Sequence, residues 1–191
     1  MNLNGINVLV DGYNLELKKG AGLKSYGLTL IKALNLLGAN VDVLFSRRSN
    51  DNLILNEVLF FDANFNVEKK SLINFFNSNL IKGMIKSLIR VSHEAKRVSF
   101  GKMVLKEGFG DNFIDSVGIL NLEMCYRIAN IAYRIFGVKT NIAIPKKIDI
   151  WHATYPLPII IRRSKKITTI ADLIPLRLPY ATLDDKPSFY K

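Results

Sequence analysis

Ile6-Asn7-Val8-Leu9-Val10 is a short, β-rich apolar run that halts at Asp11-Gly12-Tyr13-Asn14, the pattern of a strand entering a turn. A polar loop, Lys18-Lys19-Gly20-Ala21-Gly22, follows it. From Ser25 to Leu37 the residues Leu28, Ile31, Leu34 and Leu37 recur at three-residue steps, and Leu30 and Ala33 widen the face. That spacing predicts an amphipathic helix, with Gly38 as its stop. Val41-Asp42-Val43-Leu44-Phe45 is a second strand-like run. A helix between two short apolar strands argues for a βαβ unit and so for an α/β fold with a parallel sheet.

The last third returns to the same rhythm. Ile148-Asp149-Ile150-Trp151-His152 reads as a strand and its end, and Tyr155-Pro156-Leu157-Pro158 as a stiff loop. Lys166 to Ile170 reads as another strand, closed by Ala171-Asp172-Leu173-Ile174-Pro175 and Pro179, because proline cannot continue a central strand. In the middle, residues 56–65 suggest a strand with a turn at 62–64. Residues 80–91 suggest a helix with Leu80, Ile81, Met84, Ile85, Leu88 and Ile89 as one stripe. Gly101, Gly108 and Gly110 mark residues 100–115 as a loop or hairpin. Residues 121–136 suggest a helix with Leu122, Cys125, Ile128, Ala132 and Ile135 inward, ended by Gly137. Leu183-Asp184-Asp185-Lys186-Pro187 resembles a helix start, and the sequence stops within about one turn of it at Lys191, so a continuation into a longer chain is expected.

Composition narrows the function classes. The 191 residues suit one domain, or one and a half. Cys125 is the only cysteine, so no intrachain disulfide can form, and with His93 and His152 it cannot supply a usual structural zinc set. No run reaches the ~18 apolar residues of a spanning helix, and the N-terminus lacks the features of a signal peptide. The expectation is a soluble, cytoplasmic chain. Its formal charge of +11 directs it toward anionic partners.

Candidate site residues follow from the strand ends, where open parallel sheets bind ligands. Gly20 and Gly22 precede the first helix, and glycines there let backbone N–H groups approach a ligand. The full dinucleotide fingerprint is not met, because Ser25 stands where its third glycine would be. His152 closes a strand and could bond a sugar hydroxyl or phosphate, or act as a base, or simply pack at a sheet edge. Asp172 could orient its own loop or position a substrate. His93, beside Glu94, Lys96 and Arg97, reads as a surface residue, and Cys125 as a buried small hydrophobe. Lys82, Lys86 and Arg90 stand at four-residue steps on one helix face. That face is either merely solvated or suited to an anionic bilayer surface. The remaining basic pairs are dispersed, which disfavours nucleic acid as a partner.

Three segments together resemble the N-terminal half of a family 4 glycosyltransferase. They are Asn7-Val8-Leu9-Val10-Asp11 with Gly20-Ala21-Gly22 and the helix bearing Tyr26, Leu30 and Leu34; Asp149-Ile150-Trp151-His152-Ala153-Thr154; and Thr168-Thr169-Ile170-Ala171-Asp172-Leu173-Ile174-Pro175-Leu176. The resemblance implies a Rossmann-like sheet with helices on both faces, forming the acceptor-side half of a two-domain B-type fold over residues 1–191. It implies metal-independent transfer of a sugar from a nucleotide-sugar co-substrate to a glycan or lipid-linked acceptor, with retention at the sugar carbon. No other cofactor is implied, and basic helices of such domains are expected to bring them to membranes. Gly20, Gly22, His152 and Asp172 become substrate-binding candidates. Relatives commonly carry His where Ala171 stands, so no catalytic residue is assigned, and transfer by these residues without a donor-binding domain is not expected.

Two other readings compete. Val10-Asp11-Gly12-Tyr13-Asn14-Leu15 resembles the opening strand of NYN or PIN-like ribonucleases, where Asp11 would begin a Mg²⁺- or Mn²⁺-binding carboxylate cluster, with Asp149 and Asp172 as its further members. The third reading is a non-catalytic remnant that binds a membrane or a partner.

Overall fold

The computed structural model describes residues 2–16, 21–47, 78–98, 117–171 and 177–178. The expected strand at 56–65, the glycine-containing stretch at 100–115, the helix start at 183–187, Gly20 and Asp172 lie outside these residues.

The chain is α/β, with a mixed and mostly parallel main sheet. In chain order the elements are β1 (Asn7–Asp11), α1 (Tyr13–Glu16), α2 (Ala21–Leu36), β2 (Asn40–Phe45), α3 (Ser78–Leu88), β3 (His93–Glu94) and β4 (Lys96–Arg97). They continue with β5 (Gly118–Asn121), α4 (Cys125–Phe136), β6 (Thr140–Ala143), β7 (Ile150–Ala153), β8 (Ile159–Ile161) and β9 (Lys165–Thr168). The main sheet runs β4-β5-β2-β1-β7-β9, parallel except for the edge strand β4, and a small sheet runs β3-β6-β8. The expected βαβ opening is present: β1 and β2 pair in parallel, Val8 opposite Val41 and Val10 opposite Val43.

Alternation along β1 and β2 divides the core in two. Val8, Val10, Val41, Val43 and Phe45 face α2, whose Ile31 is buried against them. Leu9 and Leu44 face the other way, onto Cys125, Tyr126 and Ala129 of α4 and onto Ile142, Ile159 and Ile161 of the small sheet. Helices therefore cover both faces, and Trp151 and Leu157 are fully buried on the α4 side.

Several boundaries and faces differ from expectation. α2 begins at Ala21 rather than Ser25, which puts Gly22 in its first turn instead of in a loop. Leu37 lies past the end of α2 and is exposed. Residues 121–136 divide into the end of β5 and the helix α4, because Gly118–Asn121 pairs with β2. Ile135 is exposed at the last turn of α4 rather than inward. The apolar stripe of α3 is divided as well: Leu80, Gly83 and Ser87 point inward, whereas Ile81, Ile85, Leu88 and Ile89 are exposed. His93 is buried, not a surface residue; its Nε2 lies 3.0 Å from Ser87 Oγ, which in turn lies 3.0 Å from Thr140 Oγ1. Burial and nearby Lys86 both lower the pKa of His93 from its ordinary value.

Candidate functional site

The chain leaves β1 toward β2 on one side and takes β7 as neighbour on the other. A crevice opens between strand ends where the order reverses in this way, and ligands of open α/β sheets enter there. Asp11 ends β1 and Ala153 ends β7, so Gly12 with the start of α1, and the loop carrying Thr154-Tyr155, form the two walls at this end of the sheet.

Asp11 ties the walls together. Its carboxylate accepts from Tyr13 N–H at 3.0 Å, from Thr154 Oγ1 at 3.1 Å and from Thr154 N–H. Burial raises its pKa to about 6, outweighing the hydrogen bonds from Thr154 and Tyr13, which pull it down. Asn14 Nδ2 donates to Thr154 Oγ1 at 3.0 Å and to Thr154 O at 3.3 Å, while its buried Oδ1 has no hydrogen-bond partner among the described residues. Tyr126 of α4 reaches the same corner: its hydroxyl accepts from Gly12 N–H at 2.9 Å and donates to Leu44 O at 2.5 Å. Only glycine fits at position 12, because a Cβ would stand 2.7 Å from Leu44 O and 2.8 Å from Phe45 Cδ1. Tyr13 stacks on Tyr155 with centroids 5.3 Å apart, which joins α1 to the loop after β7 through half-buried aromatic rings.

A second polar set flanks the first. His152 Nε2 lies 2.9 Å from Thr169 Oγ1, and Tyr26 Oη lies 2.9 Å from the same hydroxyl. Burial lowers the pKa of half-buried His152, so its ring is neutral at pH 7 and carries one donor and one acceptor. The three side chains come from β7, the end of β9 and α2, and Tyr26 is open to solvent. Hydroxyls and a neutral imidazole suit an uncharged, polyhydroxylated ligand.

At the β2 end, Glu16 Oε1 accepts from Ser46 N–H at 2.7 Å and lies 3.9 Å from Arg47 Nε. Asn121 clasps the Arg47 backbone, accepting from its N–H and donating to its carbonyl, both at 2.9 Å.

Of the sequence candidates, His152 stands at the crevice. Gly22 is one helical turn before Tyr26; a Cβ there would meet nothing within 4 Å, so protein packing does not demand glycine. Ala171 is exposed beyond β9. Lys82, Lys86 and Arg90 belong to α3 and its end, apart from the crevice. Cys125 is buried on α4 as expected, and burial pushes its thiol far above the ordinary range.

Of the two carboxylates expected to join Asp11, Asp172 lies outside the described residues and Asp149 is not beside it. Asp149 accepts from Asn7 N–H at 3.0 Å, at the opposite end of β1. That is about 13 Å from Asp11 at the usual rise of an extended strand. Asp42 is buried within β2 and paired to Lys146 Nζ at 2.6 Å. Among the described residues no three His, Cys, Asp or Glu side chains gather as a metal-binding group. Asn14, Thr154, Thr169, Tyr26 and Tyr126 were not singled out as site residues from the sequence. The only local signal for the first was a polar residue three places after the strand-ending Asp11.

Comparison with protein families, with curated proteins and with solved structures gives no match to this chain.

Proposed function

We propose that this chain is the acceptor-side half of a glycosyltransferase of the B type, binding a glycan or the sugar of a lipid-linked acceptor at the β1–β7 crevice. The observation that carries the reading is the His152–Thr169–Tyr26 set beside the Asp11–Thr154 clasp, at the reversal of strand order in a mostly parallel sheet. Hydroxyl and imidazole groups can exchange hydrogen bonds with sugar hydroxyls in both directions, and the His152–Thr169–Tyr26 set asks for no charge on the ligand. The buried Asp11 clasp acts as a positioning element: it fixes the loop after β7 relative to the loop after β1. The sequence order of the three resembling segments supports the same assignment. The reading calls for a second Rossmann-like domain that binds the nucleotide-sugar, so transfer is expected only where such a domain is supplied.

Saturation-transfer NMR with a panel of neutral oligosaccharides tests the proposal. Binding by the wild type that His152→Ala and Thr169→Val each weaken about tenfold is expected, since each removes a hydrogen-bonding group from the crevice. No oligosaccharide binding, or binding indifferent to both substitutions, would sink it. RNA cleavage in Mg²⁺ or Mn²⁺ that Asp11→Asn abolishes would instead establish the nuclease reading.

A further inference from the structure

We infer that the concavity between α3, β3–β4 and the start of α4 binds a small zwitterion of the apolar amino-acid class, carrying one carboxylate and one ammonium. The concavity measures about 300 Å³, at the lower end of the range for small-molecule sites. Gly83 and Ile128 line it where α3 meets α4, so close that a Cβ on Gly83 would stand 2.5 Å from Ile128 Cδ1. Its charges are divided by element. Lys82 and Lys86, four residues apart and so on one face of α3, line it from the helix. Glu94 of β3 and Glu123, between β5 and α4, line it from the other elements. None of these four side chains forms an ion pair or hydrogen bond among the described residues. Two ammonium and two carboxylate groups thus share one cavity without neutralising each other. Lys96 of β4 also lines it and is engaged with other groups. His93 is buried on the lining, with Nε2 bonded to Ser87 and no hydrogen bond at Nδ1 among the described residues. Burial and Lys86 keep its ring neutral at pH 7, so it adds a hydrogen-bonding group and no charge.

Repulsion between like charges decides what fits. A simple anion would gain from Lys82 and Lys86 and be opposed by Glu94 and Glu123, and a simple cation would meet the reverse. A molecule bearing both signs satisfies all four: its carboxylate meets the α3 lysines and its ammonium the glutamates. Leu122, Met124 and Ile128 supply apolar surface for its side chain. The site is separate from the β1–β7 crevice, because β2 and β1 stand between β5 and β7 in the main sheet.

Isothermal titration of the full chain with L-leucine provides the test, beside leucinamide, which lacks the carboxylate, and isocaproate, which lacks the ammonium. Saturable one-to-one binding of leucine is expected, with each analogue weaker by about tenfold, the worth of one charge-assisted contact. Lys82→Gln/Lys86→Gln should weaken leucine by about tenfold and leave leucinamide nearly unchanged. Glu94→Gln/Glu123→Gln should weaken leucine similarly and leave isocaproate nearly unchanged. Lys82, Lys86 and Glu94 are exposed and Glu123 half-buried, so circular dichroism should show the fold retained. Lys24→Gln/Lys32→Gln on α2 removes the same charge as the α3 pair and should not alter leucine binding. No leucine binding would overturn the inference, as would analogues that bind as tightly as leucine. Inorganic phosphate binding more tightly than leucine would make this an anion site and overturn it too. Equal losses from the α2 and α3 lysine pairs would do the same, and leucine binding lost in His152→Ala would place the amino acid in the crevice instead.

Discussion

Asp11 carries two opposed demands. Its carboxylate receives three hydrogen bonds that favour the charged form, yet it is 1% exposed, and burial wins. A carboxyl whose pKa is raised to about 6 on folding keeps its proton longer in the folded chain than in the unfolded one. The unfolded chain therefore binds fewer protons between pH 4 and 6, and stability falls as pH rises through that window. From 3.8 to about 6, the shift corresponds to about 3 kcal/mol. Urea unfolding of the wild type and Asp11→Asn should show their stability difference moving by up to this amount in favour of Asn between pH 4 and 7. A difference that stays constant with pH would mean Asp11 is not held neutral by burial. Tyr126→Phe tests the neighbouring contact. Gly12 N–H also reaches Leu44 O at 2.7 Å, so the amide is not orphaned and a loss of only about 1 kcal/mol is expected by chemical denaturation.

Among the elements, those that announce themselves by period were legible and those defined by a neighbour were not. β1 and β2 are short apolar runs bounded by turn residues and lie within one residue of the expected spans, and α2 carries a three-to-four-residue period although it starts four residues earlier than expected. β5 is only Gly118-Ile119-Leu120-Asn121, an apolar pair too short to announce a strand ahead of the helix expected from residue 121; its strand character comes from β2 alongside. β8 is three isoleucines after Pro158, extended because β6 pairs with them. His93 was legible in principle: His93 and Ala95 are buried while Glu94 and Lys96 are exposed, a two-residue alternation hidden under its charged neighbours. The crevice divides similarly. His152 could be found as a strand end, but Asn14 and Thr154 are 140 residues apart and only the β1–β7 pairing brings them together. Close approach between elements yields its own prediction. Gly83→Val should cost about 1–3 kcal/mol by forcing α3 away from Ile128, read as a lowered denaturation midpoint with the helix content of α4 retained. An unchanged midpoint would place the two helices further apart than described.

For the whole molecule, the question is whether two sheets make one cooperative unit. One apolar cluster contains Leu9, Leu44, Leu120, Trp151 and Ala153 of the main sheet together with Ile142, Ile159 and Ile161 of the small one. No polar layer separates them within that cluster, so losing the small sheet would expose the inner face of the main sheet. Trp151 is the only tryptophan and is fully buried on β7, which makes its emission a report on the main sheet alone. Ile159 sits in the small sheet and is fully buried too. Ile159→Ala should cost about 2–5 kcal/mol, the usual price of a large-to-small core substitution. If the cluster is one unit, the midpoint of the Trp151 emission shift should fall by the same amount as the midpoint followed by far-ultraviolet circular dichroism, in a single transition. If the small sheet is instead an independent annex, circular dichroism will lose part of its amplitude early while the Trp151 transition stays at the wild-type midpoint. That outcome would also leave the β1–β7 crevice intact in the variant, so oligosaccharide binding by Ile159→Ala at intermediate urea distinguishes the two cases a second way.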